Sequence, residues 1–365
     1  MNQQLSRRSF LGTSAVALAS ASLAPIATSC QKAPAAPAIP GIYDFGSKFG
    51  GVQVGCTTYS FRNMPAGIEN CIQYCKDTGI DSIEFRSGPD LEAFLGAPPA
   101  PPRPAPAIPP PAPPAAARPS AGSEPVYDAA TLAAIAAARR QPLTPEQQEI
   151  QDKYNAELKA WRMALTPEQV APAKKLFDDA GIDVHIVKFT PGKWSDEEID
   201  YAFRTAKAMG ARGVSEEMGI DAVKKMAPYA EKHGLYAIFH NHGQLAEEGF
   251  GVEQFLEVSP SVMLNFDAGH YFGSTGLNPC DFIRKYHDRI FSLHIKDKTG
   301  PNTDPANANQ VFGQGETPLA EIMLLIKKEG WPIYCDIELE YTIKPWSNQV
   351  KETKTCVQYL RNILI

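Results

Sequence analysis

The stretch Val262-Met263-Leu264-Asn265-Phe266-Asp267-Ala268-Gly269-His270 decides the fold. It opens as a short run of apolar, strand-forming side chains and turns polar at its C-terminal end, where Asp267 and His270 stand. A strand of a parallel sheet reads this way, because both faces of such a sheet are covered and its chemistry is left to the strand ends. The same composition recurs along the chain at residues 53–57, 82–85, 183–189, 213–216, 236–240, 290–295 and 333–337. Amphipathic helical patterns fill the gaps at residues 68–78, 167–180, 196–209, 222–232, 252–258, 279–286, 319–329 and 349–362. Glycine follows several of these helices, at Gly79, Gly181, Gly210, Gly234 and Gly330, which suits a closing turn before the next strand. Eight alternating units with right-handed crossovers predict an α/β protein, a (β/α)8 TIM barrel. The rival, an open doubly wound sheet, would carry a Gly-rich phosphate loop after an early strand, and the sequence has none.

The chain has 365 residues, enough for a barrel of roughly 250 residues with extensions. Its formal net charge of -6 argues against a nucleic-acid partner, which calls for a basic face. Beyond residue 30 no run approaches the ~20 apolar residues of a membrane span. The first thirty residues read as targeting. Ser6-Arg7-Arg8-Ser9-Phe10-Leu11 and the apolar run at residues 10–27 resemble a twin-arginine signal, which places the protein outside the cytoplasm. Ala27-Thr28-Ser29-Cys30 resembles a lipoprotein cleavage site, except that Ala stands where Leu is usual. The expected organisation is therefore a signal at residues 1–30, a tether at 31–50 and the barrel at 51–365. The product would be periplasmic, or held at the envelope by lipid on Cys30.

Two features interrupt this plan. Residues 97–125 are dominated by Pro and Ala and cannot hold regular hydrogen-bonded structure. With the helical piece at 145–163 they make an insertion, residues 96–165, after strand two. That is the catalytic face of a barrel, so the helical part is expected to cover the site. Cys56, Cys71, Cys75, Cys280, Cys335 and Cys356 form no CxxC pair and read as small buried side chains.

Polar groups gather where barrel chemistry belongs. Strand five ends in His240-Asn241-His242, strand six in Asp267 and His270, strand seven in His294-Ile295-Lys296-Asp297, and strand eight in Glu338-Leu339-Glu340. Residues two apart on a strand share a face, so His240, Asp267, His294 and Glu338 can converge on one mouth. Mixed imidazole and carboxylate donors favour a divalent ion such as Mn2+, Co2+ or Zn2+, with Mg2+ also admitted. His185 is a further histidine placed near a strand end.

These strand ends resemble the xylose-isomerase-like TIM-barrel superfamily of sugar isomerases and epimerases, which includes inosose dehydratases and endonuclease IV. The resemblance rests on Asn265-Phe266-Asp267-Ala268-Gly269-His270, His294-Ile295-Lys296-Asp297 and Ile337-Glu338-Leu339-Glu340. It implies a metal held by Asp267, His294 and Glu338. The family's strand-five Glu is met here by His240, with Glu216 or Glu217 as alternative carboxylates. It also implies proton abstraction beside a sugar carbonyl, stabilised as an enediolate. His242, Glu216 and Glu340 are the candidate bases, Lys296 the oxyanion stabiliser, and His270 a proton donor or hydroxyl ligand.

An unphosphorylated sugar or keto-glycoside is the expected substrate, with isomerase, epimerase or carbon-oxygen lyase as the outcome. The competing readings are a non-catalytic sugar-binding lipoprotein and, less favoured by the acidic charge, an endonuclease IV-like metal-dependent nuclease. Membrane contact is expected only through Cys30, and a homo-oligomer is compatible with everything above.

Overall fold

A computed structural model describes residues 46–102 and 143–365. The expected signal, Cys30, most of the tether and the Pro/Ala-rich half of the insertion lie outside the described residues.

Eight strands run parallel around a closed barrel: β1 Val52–Thr57, β2 Ser82–Arg86, β3 Asp183–Lys188, β4 Gly213–Glu217, β5 Tyr236–His240, β6 Val262–Asp267, β7 Ile290–Ile295 and β8 Tyr334–Ile337. Each pairs with its sequence neighbours, and β8 pairs with β1, so the barrel has no open edge. The helices are α1 Ile68–Thr78, α2 Pro145–Ala164, α3 Pro167–Ala180, α4 Asp196–Ala208, α5 Ile220–His233, α6 Glu253–Leu256, α7 Ala268–Thr275, α8 Pro279–Tyr286, α9 Leu319–Glu329 and α10 Gln349–Leu364. The expected barrel is therefore observed, with two local differences. The helix expected at 252–258 is a single turn, α6, and α7 follows β6 without a loop because Asp267 caps it, its side chain accepting from the His270 amide.

Alternation along each strand separates core from site. On β2, Ile83 and Phe85 are fully buried, and the Phe85 ring meets Phe177 of α3 edge-on at 5.0 Å between centroids. Ser82 and Glu84 face the barrel interior instead, through contacts with residues of β3, β4 and β7. Helix ends close as expected. Gly181 at φ 71° caps α3 with its amide on the Phe177 and Asp178 carbonyls, a left-handed turn that a side chain would strain.

His185 is not at a strand end. It sits midway along β3 inside the barrel, with Nδ1 2.9 Å from Ser82 Oγ and Nε2 2.8 Å from Asp336 Oδ2, and stacks on Tyr334 at 4.1 Å. It is an internal residue satisfied by its neighbours. The six cysteines of the described residues are buried free thiols.

Helix α2 lies between β2 and α3, where the insertion was expected. Thr144 and Gln147 close its N-terminus as a capping box. Its buried Arg162 donates to both Glu92 oxygens at 2.8 and 3.2 Å and to Glu198 at 3.0 Å, and its guanidinium lies 3.6 Å over the Trp194 ring. The bonded partners of α2 thus lie on the segment after β2 and on the flank of α4. The expectation that α2 covers the strand-end cluster finds no support in these contacts.

Candidate metal centre

The C-terminal ends of β4 to β8 meet at one mouth because neighbouring strands are in register there. Glu217 pairs with His240, Asp267 with His294, and His294 with Asp336, two residues short of Glu338. His240, Asp267, His294 and Glu338 are all buried, and each offers one donor atom within 4.8 Å of the others. His240 Nε2 lies 3.2 Å from Asp267 Oδ2 and 3.9 Å from Glu338 Oε2. His294 Nδ1 lies 3.0 Å from Glu338 Oε2 and 3.9 Å from Asp267 Oδ2. Donors bonded at ~2.1 Å to one ion stand about 3.0 to 3.4 Å apart in octahedral or tetrahedral arrangements, close to these spacings.

The outer nitrogens strengthen the match. His240 Nδ1 is 3.1 Å from Glu217 Oε2, and His294 Nε2 is 2.6 Å from Glu84 Oε2. Each imidazole thus turns one nitrogen inward and has the other held by a carboxylate, the arrangement that fixes tautomer and ring orientation in metal-binding histidines. Glu84 is itself anchored, its Oε1 accepting from Ser215 Oγ at 2.5 Å. Asn241, fully buried, accepts the Asp267 amide and donates to the Asp267 carbonyl, which sets that strand end.

Charged groups crowd this mouth. Five carboxylates, Glu84, Glu217, Asp267, Glu338 and Glu340, stand with the ammonium groups of Lys188, Lys296 and Lys298. Lys296 Nζ bridges Asp267 Oδ2 at 2.9 Å, Glu338 Oε2 at 2.6 Å and Glu340 Oε2 at 2.6 Å. Burial opposes the charge on Lys296, but these three carboxylates keep it firmly protonated. Burial likewise opposes ionisation of Asp267 and Glu338, and Lys296 with the histidines holds both well below the usual carboxylate range. Glu84 is pulled down to about 2 against its burial, chiefly by His294. The two-nitrogen, two-oxygen donor set fits a divalent cation.

The structure brings together most of the candidate acid–base residues. His242 is half exposed at the rim, its Nε2 3.0 Å from Glu217 Oε2 and its ring 4.7 Å from that of His270. His270 Nε2 is 3.0 Å from Lys296 Nζ and 3.6 Å from Glu340 Oε2. Burial and then Lys296 lower its pKa to about 4, against the pull of Asp267, so it is a neutral imidazole at neutral pH. Asp297 does not pair with Lys296. Its carboxylate takes the amides of Gly313, Gly315 and Thr317 and pins the loop after β7.

Glu216 is the correction. Strand alternation turns Ser215 and Glu217 into the barrel and Glu216 out of it, where it accepts from the Gly192 amide at 2.5 Å and the Glu217 amide at 2.8 Å. Glu217, named from sequence only as an alternative, is the carboxylate at the mouth. Glu84 and Lys188 were missed altogether. The available signal was a lone Glu between Ile83 and Phe85, and a Lys closing a buried strand.

Fold and strand-end cluster together define a (β/α)8 barrel with a candidate metal centre at its C-terminal mouth. Residues 168–363 match the model of the xylose isomerase-like TIM barrel family, and the chain belongs to that family. Solved structures share the fold at low identity. An uncharacterised protein from Parabacteroides distasonis is 18% identical, covers 86% of this chain and 99% of its own, and has a TM-score of 0.50. The probable 3-DHS dehydratase AsbF of Bacillus anthracis, involved in petrobactin synthesis, is 12% identical, with 85% and 98% covered and a TM-score of 0.51. A Sinorhizobium meliloti protein is 14% identical, with 85% and 98% covered and a TM-score of 0.50. A search of curated proteins finds no match.

Proposed function

We propose that this chain is a metal-dependent enzyme that lifts a proton from the carbon beside a carbonyl in an unphosphorylated sugar or keto-glycoside, and so acts as an isomerase, epimerase or carbon-oxygen lyase. The observation that carries this reading is the buried set His240, Asp267, His294 and Glu338, with each histidine's second nitrogen on a carboxylate. A divalent ion held by these four residues supplies Lewis acidity toward a substrate carbonyl and adjacent hydroxyl.

The surrounding side chains supply the rest. His242, at the rim with its Nε2 3.0 Å from Glu217 Oε2, is the base that takes the carbon-bound proton. Lys296 presents a positive charge to the oxygen that becomes negative, from its place beside Asp267, Glu338 and Glu340. His270 and Glu340, both on Lys296, are placed to hand a proton back or to orient a hydroxyl. Reprotonation at a neighbouring carbon gives isomerisation or epimerisation, and loss of a β-substituent gives elimination.

The export signal read at residues 1–30 supports glycosides over cytoplasmic sugar phosphates, with a periplasmic or Cys30-anchored barrel spanning residues 51–365 as the proposed mature form. Proton NMR in D2O tests the reaction on 3-keto-glucosides and free ketoses. Deuterium gain without cleavage indicates an isomerase or epimerase, and free aglycone indicates a lyase. A metal-loaded protein that neither exchanges nor cleaves any of them contradicts the reading.

A further inference from the structure

We propose that Glu217 is a positioning residue that leaves Nδ1 of His242 as the basic atom of the site, while the same carboxylate oxygen points Nε2 of His240 inward. This rests on the metal-centre reading above. Glu217 ends β4 opposite His240 in the sheet register, so it reaches across one strand spacing. Its Oε2 receives two imidazoles, His240 through Nδ1 at 3.1 Å and His242 through Nε2 at 3.0 Å. The two rings stand 4.8 Å apart and nearly perpendicular, at 84°.

A carboxylate oxygen only accepts, so both nitrogens that face it carry the proton. The tautomers follow. His240 carries a proton on Nδ1, and its Nε2 faces a second carboxylate, Asp267 Oδ2 at 3.2 Å, so that nitrogen gives up its proton only when an ion takes that place. His242 has its proton on Nε2 and its lone pair on Nδ1. A carboxylate that fixes the tautomer and swing of a histidine base is the general device by which such a base is made competent. Here one carboxylate serves the base and the ion-facing histidine together. The trio could instead chelate a second cation. Lys188 lies 3.4 Å from the other Glu217 oxygen, and the cadmium couplings below separate the two cases.

The test is nitrogen NMR of full-length protein labelled with 15N-histidine, metal-free and loaded with 113Cd2+, in wild type and Glu217→Leu. The seven histidines are assigned by single substitution, and His185 inside the barrel reports that the variant is folded. In the wild type, His242 is expected as the Nε2–H form before metal is added, and His240 as the Nδ1–H form once metal is bound. Cadmium should then couple to His240 Nε2 and to His294 Nδ1. In Glu217→Leu, His242 is expected to relax to a mixture of tautomers, and cadmium affinity to fall about 10- to 100-fold.

Unchanged tautomers and affinity in the variant overturn the proposal, as does cadmium coupled to His240 Nδ1 and His242 Nε2. Cadmium coupled to no histidine defeats the metal-centre reading instead, and the metal-free tautomers then still decide the role of Glu217.

Discussion

Glu84 is the residue on which the inner geometry turns. It stands between two core side chains on β2, fully buried, yet it is ionised because His294 Nε2 lies 2.6 Å away and Ser215 Oγ donates to its other oxygen. Its contribution is to hold the proton of His294 on Nε2 so that Nδ1 faces the cluster. Glu84→Gln keeps the volume but replaces a charged acceptor with a neutral amide. Divalent-ion affinity, measured by competition with a chelating dye, is expected to drop about 10- to 100-fold with the barrel still folded. Wild-type affinity in that variant would show that Glu84 does not orient His294.

The residue scale also shows what could be read from the sequence. His240, Asp267, His294 and Glu338 end four successive apolar runs, and strand periodicity suffices to converge them. Glu216 failed for the same reason in reverse. The expected strand stopped at residue 216, the observed one runs to Glu217, and with a side-chain period of two a shift of one residue exchanges inside for outside. Glu84 could not be read as a site residue because its partner His294 is 210 positions away in the chain.

At the scale of elements, α2 is latched by Arg162, beside Trp161 on the Tyr201 ring and the exposed Lys159–Glu197 pair. Thr144 to Gln147 announces the helix start by a local signal, so the helix was legible, whereas its docking was not. Arg162 meets Glu92 and Glu198, 70 and 36 positions away, and the Trp194 ring, partners that no local pattern names. The Arg162 and Glu92 side chains are 8% and 6% exposed, so Arg162→Ala leaves a buried carboxylate with Tyr201 as its remaining hydrogen-bond partner. The expected loss is about 3–5 kcal/mol of unfolding free energy. Denaturant titration measures it, and limited proteolysis should cut first within residues 145–164. A variant as stable and as resistant as wild type would mean that α2 is held by something other than this latch.

Across the whole molecule, closure of the barrel is what turns scattered motifs into a site. The β8–β1 pairing completes the barrel, and the register of β4 through β8 sets the height at which their ends meet. The fold was legible almost throughout because eight apolar runs alternate with eight helical patterns. The strands on either side of the insertion read at 96–165, β2 and β3, keep that rhythm. Below that site, His185 is hydrogen-bonded to Ser82 and Asp336 inside the barrel.

The upper cluster differs in bringing two imidazole nitrogens and two carboxylate oxygens to one point, and that difference is open to one direct measurement. Metal analysis of the purified full chain, alongside Asp267→Ala and Glu338→Ala, should find one divalent ion per wild-type chain, a lowered melting temperature after chelation, and no retained ion in either variant. A folded wild-type protein that holds no stoichiometric ion and is indifferent to chelator would contradict the metal centre and leave the barrel alone standing.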